Sequence, residues 1–226
     1  DTLDELLDAA QAAGRKVHFK LNDDGWYLSS FFFAYPELAY QVAYNDSMTE
    51  TGVSINYNNA QGLAVMKALV KYVNHPALVI QTDDSKLIAG FTPDASGNVE
   101  AAAGVSGIWN AKAVQGQLGE NMGVAKLPTT VLPDGRTIQP AAIADFMLVA
   151  VRENSEASAT AHELAQFLTN SSSQLLRLQR TGLIPTDTTL AYNDDVRAQF
   201  PAVAAVYDQL SYSTSINSAS GRQSLY

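Results

Sequence analysis

Two tryptophans and a pair of adjacent carboxylates are the side chains in this 226-residue chain whose types and spacing suit ligand chemistry. Asp23 and Asp24 sit in the run Asn22-Asp23-Asp24-Gly25, with Trp26 directly after it, and Trp109 follows Gly107-Ile108. Paired carboxylates can serve cleavage of a glycosidic bond, but two consecutive residues rarely reach one bond at the separation that an acid and a nucleophile require. The same four residues also make an ordinary solvated turn. A tryptophan is more often a core residue than a ligand platform. An indole beside carboxylates and asparagine also suits an oligosaccharide, whose rings offer apolar C–H faces for stacking and hydroxyl edges for hydrogen bonds to charged groups. On residue chemistry alone these readings stay open.

Other chemistries find little support. His18, His75 and His162 form no H-x-H, no H-E-x-x-H and no pair four apart, so no metal site is expected. With no cysteine there is no disulfide, no thiolate zinc site and no thiol nucleophile. Gly104-Val105-Ser106-Gly107 is short of a serine-hydrolase elbow, because G-x-S-x-G needs a glycine where Ile108 stands. Neither G-x-G-x-x-G nor a P-loop occurs, and no cofactor is implied. Fourteen Lys+Arg against 23 Asp+Glu leave a net charge of −9, which disfavours nucleic acid and anionic membrane surfaces and leaves neutral or cationic ligands open. Apolar residues at 46% with charged residues at 16% indicate a folded, globular chain. The longest nearly apolar stretch, Pro140 to Val151, is broken by Asp145 and falls short of the roughly 18–20 residues that span a bilayer.

The elements that must position these residues are legible as an alternation of strands and helices. Thr2 and Glu5 form a capping box ahead of Leu3, Leu6, Leu7 and Ala10, with Gly14 as the stop. Lys16 to Leu21 reads as a half-buried strand through Val17 and Phe19, followed by the Asp23-Asp24 turn and a largely buried helix that carries Trp26, Tyr27, Leu28 and Phe31-Phe32-Phe33 and ends before Pro36. Val53 to Tyr57 reads as a strand, and Asn58 or Asn59 caps a helix with Leu63, Met66, Val70 and Val73 as its apolar face. A short helix is expected over Asp84 to Phe91. Strands are expected over Glu100 to Ser106, Met122 to Leu127 and Phe146 to Val151, the last buried on both faces. Pro133-Asp134-Gly135 is a turn. Beyond Asn154 helices carry Ala161, Leu164, Phe167 and Leu168, then Leu175, Leu176 and Leu178 up to a stop at Gly182. Asn193 or Asp194 opens a further helix that Pro201 restarts, and the Ser-rich tail from Ser211 has no pattern. This alternation argues for α/β architecture, and both tryptophans fall just past strand ends, where open α/β sheets hold their ligands.

Val53 to Val73, Phe91, Gly104-Val105-Ser106-Gly107-Ile108-Trp109, Met122-Gly123-Val124-Ala125-Lys126-Leu127-Pro128, Gly182-Leu183-Ile184-Pro185 and Asn217-Ser218-Ala219-Ser220-Gly221-Arg222-Gln223 occur in one ordered series. This series resembles the carboxy-terminal lobe of the maltose/maltodextrin-binding proteins, the extracellular solute-binding subunits of ABC sugar importers. The resemblance implies one lobe of a periplasmic-binding-protein-like fold, α/β and three-layered with a central mixed sheet. It implies a carboxy-terminal sugar-binding lobe over 1–141, a segment over 142–190 that crosses to an amino-terminal lobe, and a return helix and tail over 191–226. Asp24 would be a sugar-binding acid, Trp26 an aromatic platform and Trp109 the main stacking residue, with Asp23 and Asp84 completing the ligand-binding set.

The chain departs from the family at three places. Asp84 stands where several members carry a tyrosine, a stretch bearing a further cleft aromatic is missing between Leu210 and Asn217, and nothing before Asp1 supplies the amino-terminal lobe. A fragment is therefore expected, with an exposed apolar patch and self-association through 142–190. The implied partners are a maltose or maltodextrin-type oligosaccharide and the membrane permease subunits of the importer, with no nucleic acid. The implied location is extracellular, lipid-anchored at the cell surface or periplasmic. A non-enzymatic binder is the leading expectation; a glycoside-active domain using Asp23 or Asp24, and an acidic interaction domain, are the alternatives.

Overall fold

The computed structural model describes residues 1–21, 25–35, 38, 41–144 and 146–215. Helix α1 (Leu3–Ala12) opens on the expected capping box: the Thr2 hydroxyl oxygen accepts the Glu5 amide at 3.1 Å and the Glu5 carboxylate accepts the Thr2 amide at 2.8 Å. Leu3, Leu7 and Ala10 face the core, and Gly14 follows in the left-handed region at φ 66°. Strand β1 (Lys16–Phe19) buries Val17, His18 and Phe19 in succession. Successive side chains leave a strand on opposite faces, so β1 is covered on both sides and not on one as its alternation suggests.

The chain continues through α2 (Gly25–Phe32), the antiparallel ribbon of β2 (Gln41–Tyr44) and β3 (Glu50–Ser54), α3 (Ala60–Val73), β4 (Leu78–Ile80), α4 (Asp84–Ala89) and β5 (Ala101–Val105). A 3-10 turn at Ile108–Asn110 then leads into α5 (Ala111–Leu118). Strands β4, β1 and β5 lie side by side in that order, with Phe19 opposite both Ile80 and Val105. This sheet is parallel throughout among the described residues; antiparallel pairing is confined to separate two-stranded ribbons. One face, through Val17, Phe19, Ala103 and Val105, joins the main core with Leu3, Leu7, Phe31 and Leu69. On the other face His18 lies against Gly90, where an added Cβ would come within 2.2 Å of the ring, and an added Cβ on Gly104 would come within 2.9 Å of the Phe91 ring. Helices on both faces of the sheet make the three-layer α/β arrangement that the resemblance implies, with the described strands of this sheet parallel where a mixed sheet was expected.

Helix α3 is turned away from its expected orientation. Val65, Leu69 and Tyr72 are buried, whereas Leu63 and Val70 are 56% and 54% exposed and Met66 and Val73 are exposed with them. Two anchors decide the rotation. Gly62 sits so close to the backbone of Tyr57 that a Cβ would fall 1.9 Å from its carbonyl oxygen, which forces that side of α3 inward. At the other end the Tyr72 hydroxyl donates to Asp4 at 2.8 Å and accepts the Val131 amide at 3.1 Å.

The rest of the chain forms the ribbon of β6 (Thr130–Val131) and β7 (Thr137–Ile138), then β8 (Ile143–Ala144), α6 (Ser158–Thr169), α7 (Ser171–Thr181), α8 (Thr188–Ala191), α9 (Asp194–Gln199), α10 (Pro201–Leu210) and β9 (Thr214–Ser215), which pairs in parallel with β8. The stop at Gly182 (φ 77°), the turn at Gly135 (φ 83°) and the Pro201 restart are as expected. Met122 to Leu127 and residues 146–151 form no strand, and Leu148 is 88% exposed. A strand exists only where a neighbour takes its backbone hydrogen bonds, and no described strand pairs with either run. Helix α6 buries none of its residues, leaving Leu164 and Phe167 exposed.

Candidate functional site

Because β4, β1 and β5 are parallel, their carboxyl ends lie at one edge of the sheet, and the connections that leave them converge there. Lys20 and α2 follow β1, Gln81 to Asp84 follow β4, and Ser106 to Asn110 follow β5. Asp83 caps α4: its carboxylate accepts the Ser85 hydroxyl at 2.6 Å and the Lys86 amide at 2.9 Å. These hydrogen bonds hold the Asp83 carboxyl down to about 2. The cap fixes the first turn of the helix and so places Asp84.

Asp84 Oδ2 accepts the indole Nε1–H of Trp109 at 2.8 Å. Asp84 Oδ1 is buried and has no hydrogen-bond partner among the described residues. The indole lies over Gly107 so closely that a Cβ there would come within 2.1 Å of its benzo atoms. It meets the Tyr27 ring edge to face, with centroids 6.4 Å apart and planes at 63°. Trp109 nonetheless remains 53% exposed. Below it, Tyr27 is buried with the Lys20 ammonium 5.5 Å from its ring centroid. Burial pushes the Tyr27 phenol up, and the Asp84 charge adds to that push. The Asn110 side-chain amide donates to Ser106 Oγ at 2.8 Å and closes the turn that carries Trp109.

Of the expected ligand-binding residues, the structure joins Trp109 and Asp84. Trp26 is half-buried and packs against the main core. Asp23 and Asp24 lie outside the described residues. Tyr27, Gly107 and the Ser106–Asn110 pair are not among the ligand-binding residues expected from the sequence, where their one signal is nearness to the two tryptophans.

The histidines are engaged elsewhere: Gln81 Nε2 donates to His18 Nδ1 at 3.0 Å, His75 lies 3.3 Å from Asp8, and His162 Nδ1 lies 2.7 Å from the Ser158 carbonyl oxygen. Burial pushes His18 down against the opposing charge of Glu100. Among the described residues no three histidines or carboxylates gather as a metal site. A separate cavity of about 250 Å³ between α5, α7 and α10 is lined mainly by apolar side chains, Leu178, Ile184 and Phe200 among them. It offers few partners for a hydroxylated ligand.

A family model described as bacterial extracellular solute-binding protein matches residues 1–204. A protein solved with acarbose is similar at 28% identity and a TM-score of 0.68, the match covering 94% of this chain and 52% of that one. A cyclo/maltodextrin-binding protein complexed with maltotetraose is similar at 22% identity and a TM-score of 0.60, with 95% and 53% covered. The maltodextrin-binding protein MalE1 from L. casei BL23, solved without ligand, is similar at 21% identity and a TM-score of 0.71, with 99% and 56% covered. The chain therefore spans about half the length of these solved proteins. A search of curated proteins finds no match.

Proposed function

The chain belongs to the bacterial extracellular solute-binding proteins, and from that footing we propose that it forms one sugar-binding lobe of a protein that captures a maltodextrin-type oligosaccharide for an ABC importer. The observation that carries this reading is Trp109, whose ring is left open to solvent at the carboxyl edge of a parallel sheet while its N–H is held by Asp84. A large apolar side chain kept exposed and fixed in place at that edge suits stacking on a sugar ring. The 28% identical neighbour solved with acarbose and the maltotetraose-bound neighbour support the class of ligand.

In this reading Trp109 is the main platform, Asp84 stands beside it, and Asp23, Asp24 and Trp26 complete the ligand-binding set. Residues 1–141 form the sugar-binding lobe, 142–190 are the segment that packs against a second lobe, and 191–226 return to the first. The exposed Phe146, Leu148, Leu164 and Phe167 are the support for that division. The self-association expected from the sequence is not supported. Family membership supports a location outside the cytoplasm; a lipid anchor or a periplasmic place, permease subunits as partners, and binding without catalysis all belong to the proposal.

Titration calorimetry with maltotetraose, paired with an assay for new reducing ends, tests the reading. We expect weak binding that Trp109→Ala abolishes, with the sugar recovered intact. The chain covers about half of its neighbours, and a cleft ligand draws contacts from two walls. Release of reducing ends would favour a glycoside-active domain, and binding indifferent to Trp109→Ala would overturn the platform.

A further inference from the structure

We propose that Asp84 is a positioning and selectivity residue: it clamps the Trp109 indole so that a ligand meets only the ring face, and its charge turns acidic sugars away from that face. The inference rests on the reading of Trp109 as a sugar platform.

Three contacts define the clamp. The indole N–H, its only polar group, is spent on Asp84 Oδ2 at 2.8 Å, so it is not available to a ligand hydroxyl. The benzo half lies where a Cβ on residue 107 would stand, so only glycine admits the ring this close to the backbone. The Tyr27 ring closes a further side edge to face. An exposed tryptophan ordinarily samples several rotamers; held at both ends, this one presents a fixed surface, and a ligand that stacks on it does not first have to order it.

The carboxylate adds a chemical bias. Asp84 Oδ1 has no hydrogen-bond partner among the described residues, and among them the indole N–H is the donor that meets the carboxylate at Oδ2. Donation to an anion raises electron density on the ring face, which favours the partially positive C–H groups of a pyranose or a cation. An anionic substituent would meet both that face and the Asp84 charge, in a chain whose net charge is already −9. The class selected is therefore neutral or amino sugars over uronic acids and sugar phosphates.

Indole 15N–1H spectra of the chain read the clamp without ligand; the Trp109 signal is the one missing from Trp109→Phe. In the parent it should lie downfield and exchange slowly, and in Asp84→Ala it should move upfield and exchange faster. Asp84→Glu should restore part of the shift. If Asp84→Ala does not fold, Asp84→Leu, which is near the same size and has no acceptor, takes its place. Maltotetraose affinity should fall about tenfold in Asp84→Ala, the loss of one oriented charged hydrogen bond at the platform. In Asp84→Asn the preference for maltotetraose over a uronic-acid-terminated analogue should narrow. An indole signal unmoved in Asp84→Ala overturns the clamp, and an unchanged preference in Asp84→Asn overturns the charge bias. Should the parent bind no sugar while its indole signal still moves in Asp84→Ala, the sugar reading fails and the clamp stands.

Discussion

The Tyr72 hydroxyl donates to the Asp4 carboxylate at 2.8 Å and accepts the Val131 amide at 3.1 Å, tying α3 to the start of α1 and to β6. The Asp4 carboxyl also takes a hydrogen bond from Lys71. Burial pushes that carboxyl up, but the hydrogen bonds from Lys71 and Tyr72 together hold it below its ordinary value. Tyr72→Phe keeps the ring but removes two hydrogen bonds and leaves the partly buried Val131 N–H without this acceptor, so it should cost about 1–2 kcal/mol. Urea denaturation should show a lower midpoint with an unchanged slope.

Trp109→Ala and Phe31→Ala separate platform from core. Phe31 is buried in the main cluster, and its removal should cost about 3–5 kcal/mol through lost burial and a cavity. Trp109 is half open to water, and its removal, which also takes away its hydrogen bond to Asp84, should cost about 1–2 kcal/mol, clearly less than Phe31→Ala. Thermal melts of the two variants check the contrast.

The Asp83 cap sets an acid limit on the start of α4. Its folded value of about 2 lies below the ordinary 3.8, so the ionised form is the one that folding favours. Its contribution is therefore complete above about pH 4 and is lost as pH falls through about 2. Protection of the Lys86 amide, which Asp83 accepts, should decline over that window. Asp83→Asn retains a capping oxygen that does not titrate and should flatten the decline.

Two glycines inside helices should respond with opposite sign. At Gly62 a methyl group would collide with the Tyr57 carbonyl, and Gly62→Ala should destabilise by about 1–3 kcal/mol. At Gly116, in α5, nothing lies within 4 Å of an added Cβ, and Gly116→Ala should stabilise by about 0.5–1 kcal/mol. Denaturant midpoints of both variants against the parent measure the signs.

Met147 and Leu148 stand in solvent, so Met147→Ser and Leu148→Ser should each shift stability by no more than about 0.5 kcal/mol. A loss of several kcal/mol in either would show the segment packed as a buried strand after all.

The sequence by itself determined whatever depends on contacts a few residues long. The Thr2–Glu5 box, the Asn59 cap, the Gly135 turn, the Gly182 stop and the Pro201 restart are each read from neighbours along the chain, and each is present. The alternation of strand and helix, and with it the α/β class, follows from the same short-range periodicities. Tertiary structure alone decided which of two apolar rows α3 turns inward, because both rows have helical spacing and the choice was made by the close approach of Gly62 to Tyr57 and the anchoring of Tyr72. It decided that residues 146–151 are no strand, since a strand is a property of a pair and apolar composition supplies no partner. It also separated two tryptophans that look alike in sequence, packing Trp26 on the core and leaving Trp109 open with its N–H on Asp84, 25 residues away. Local periodicity is set by the covalent chain, whereas contacts of that range exist only once β4, β1 and β5 have brought their carboxyl ends to one edge.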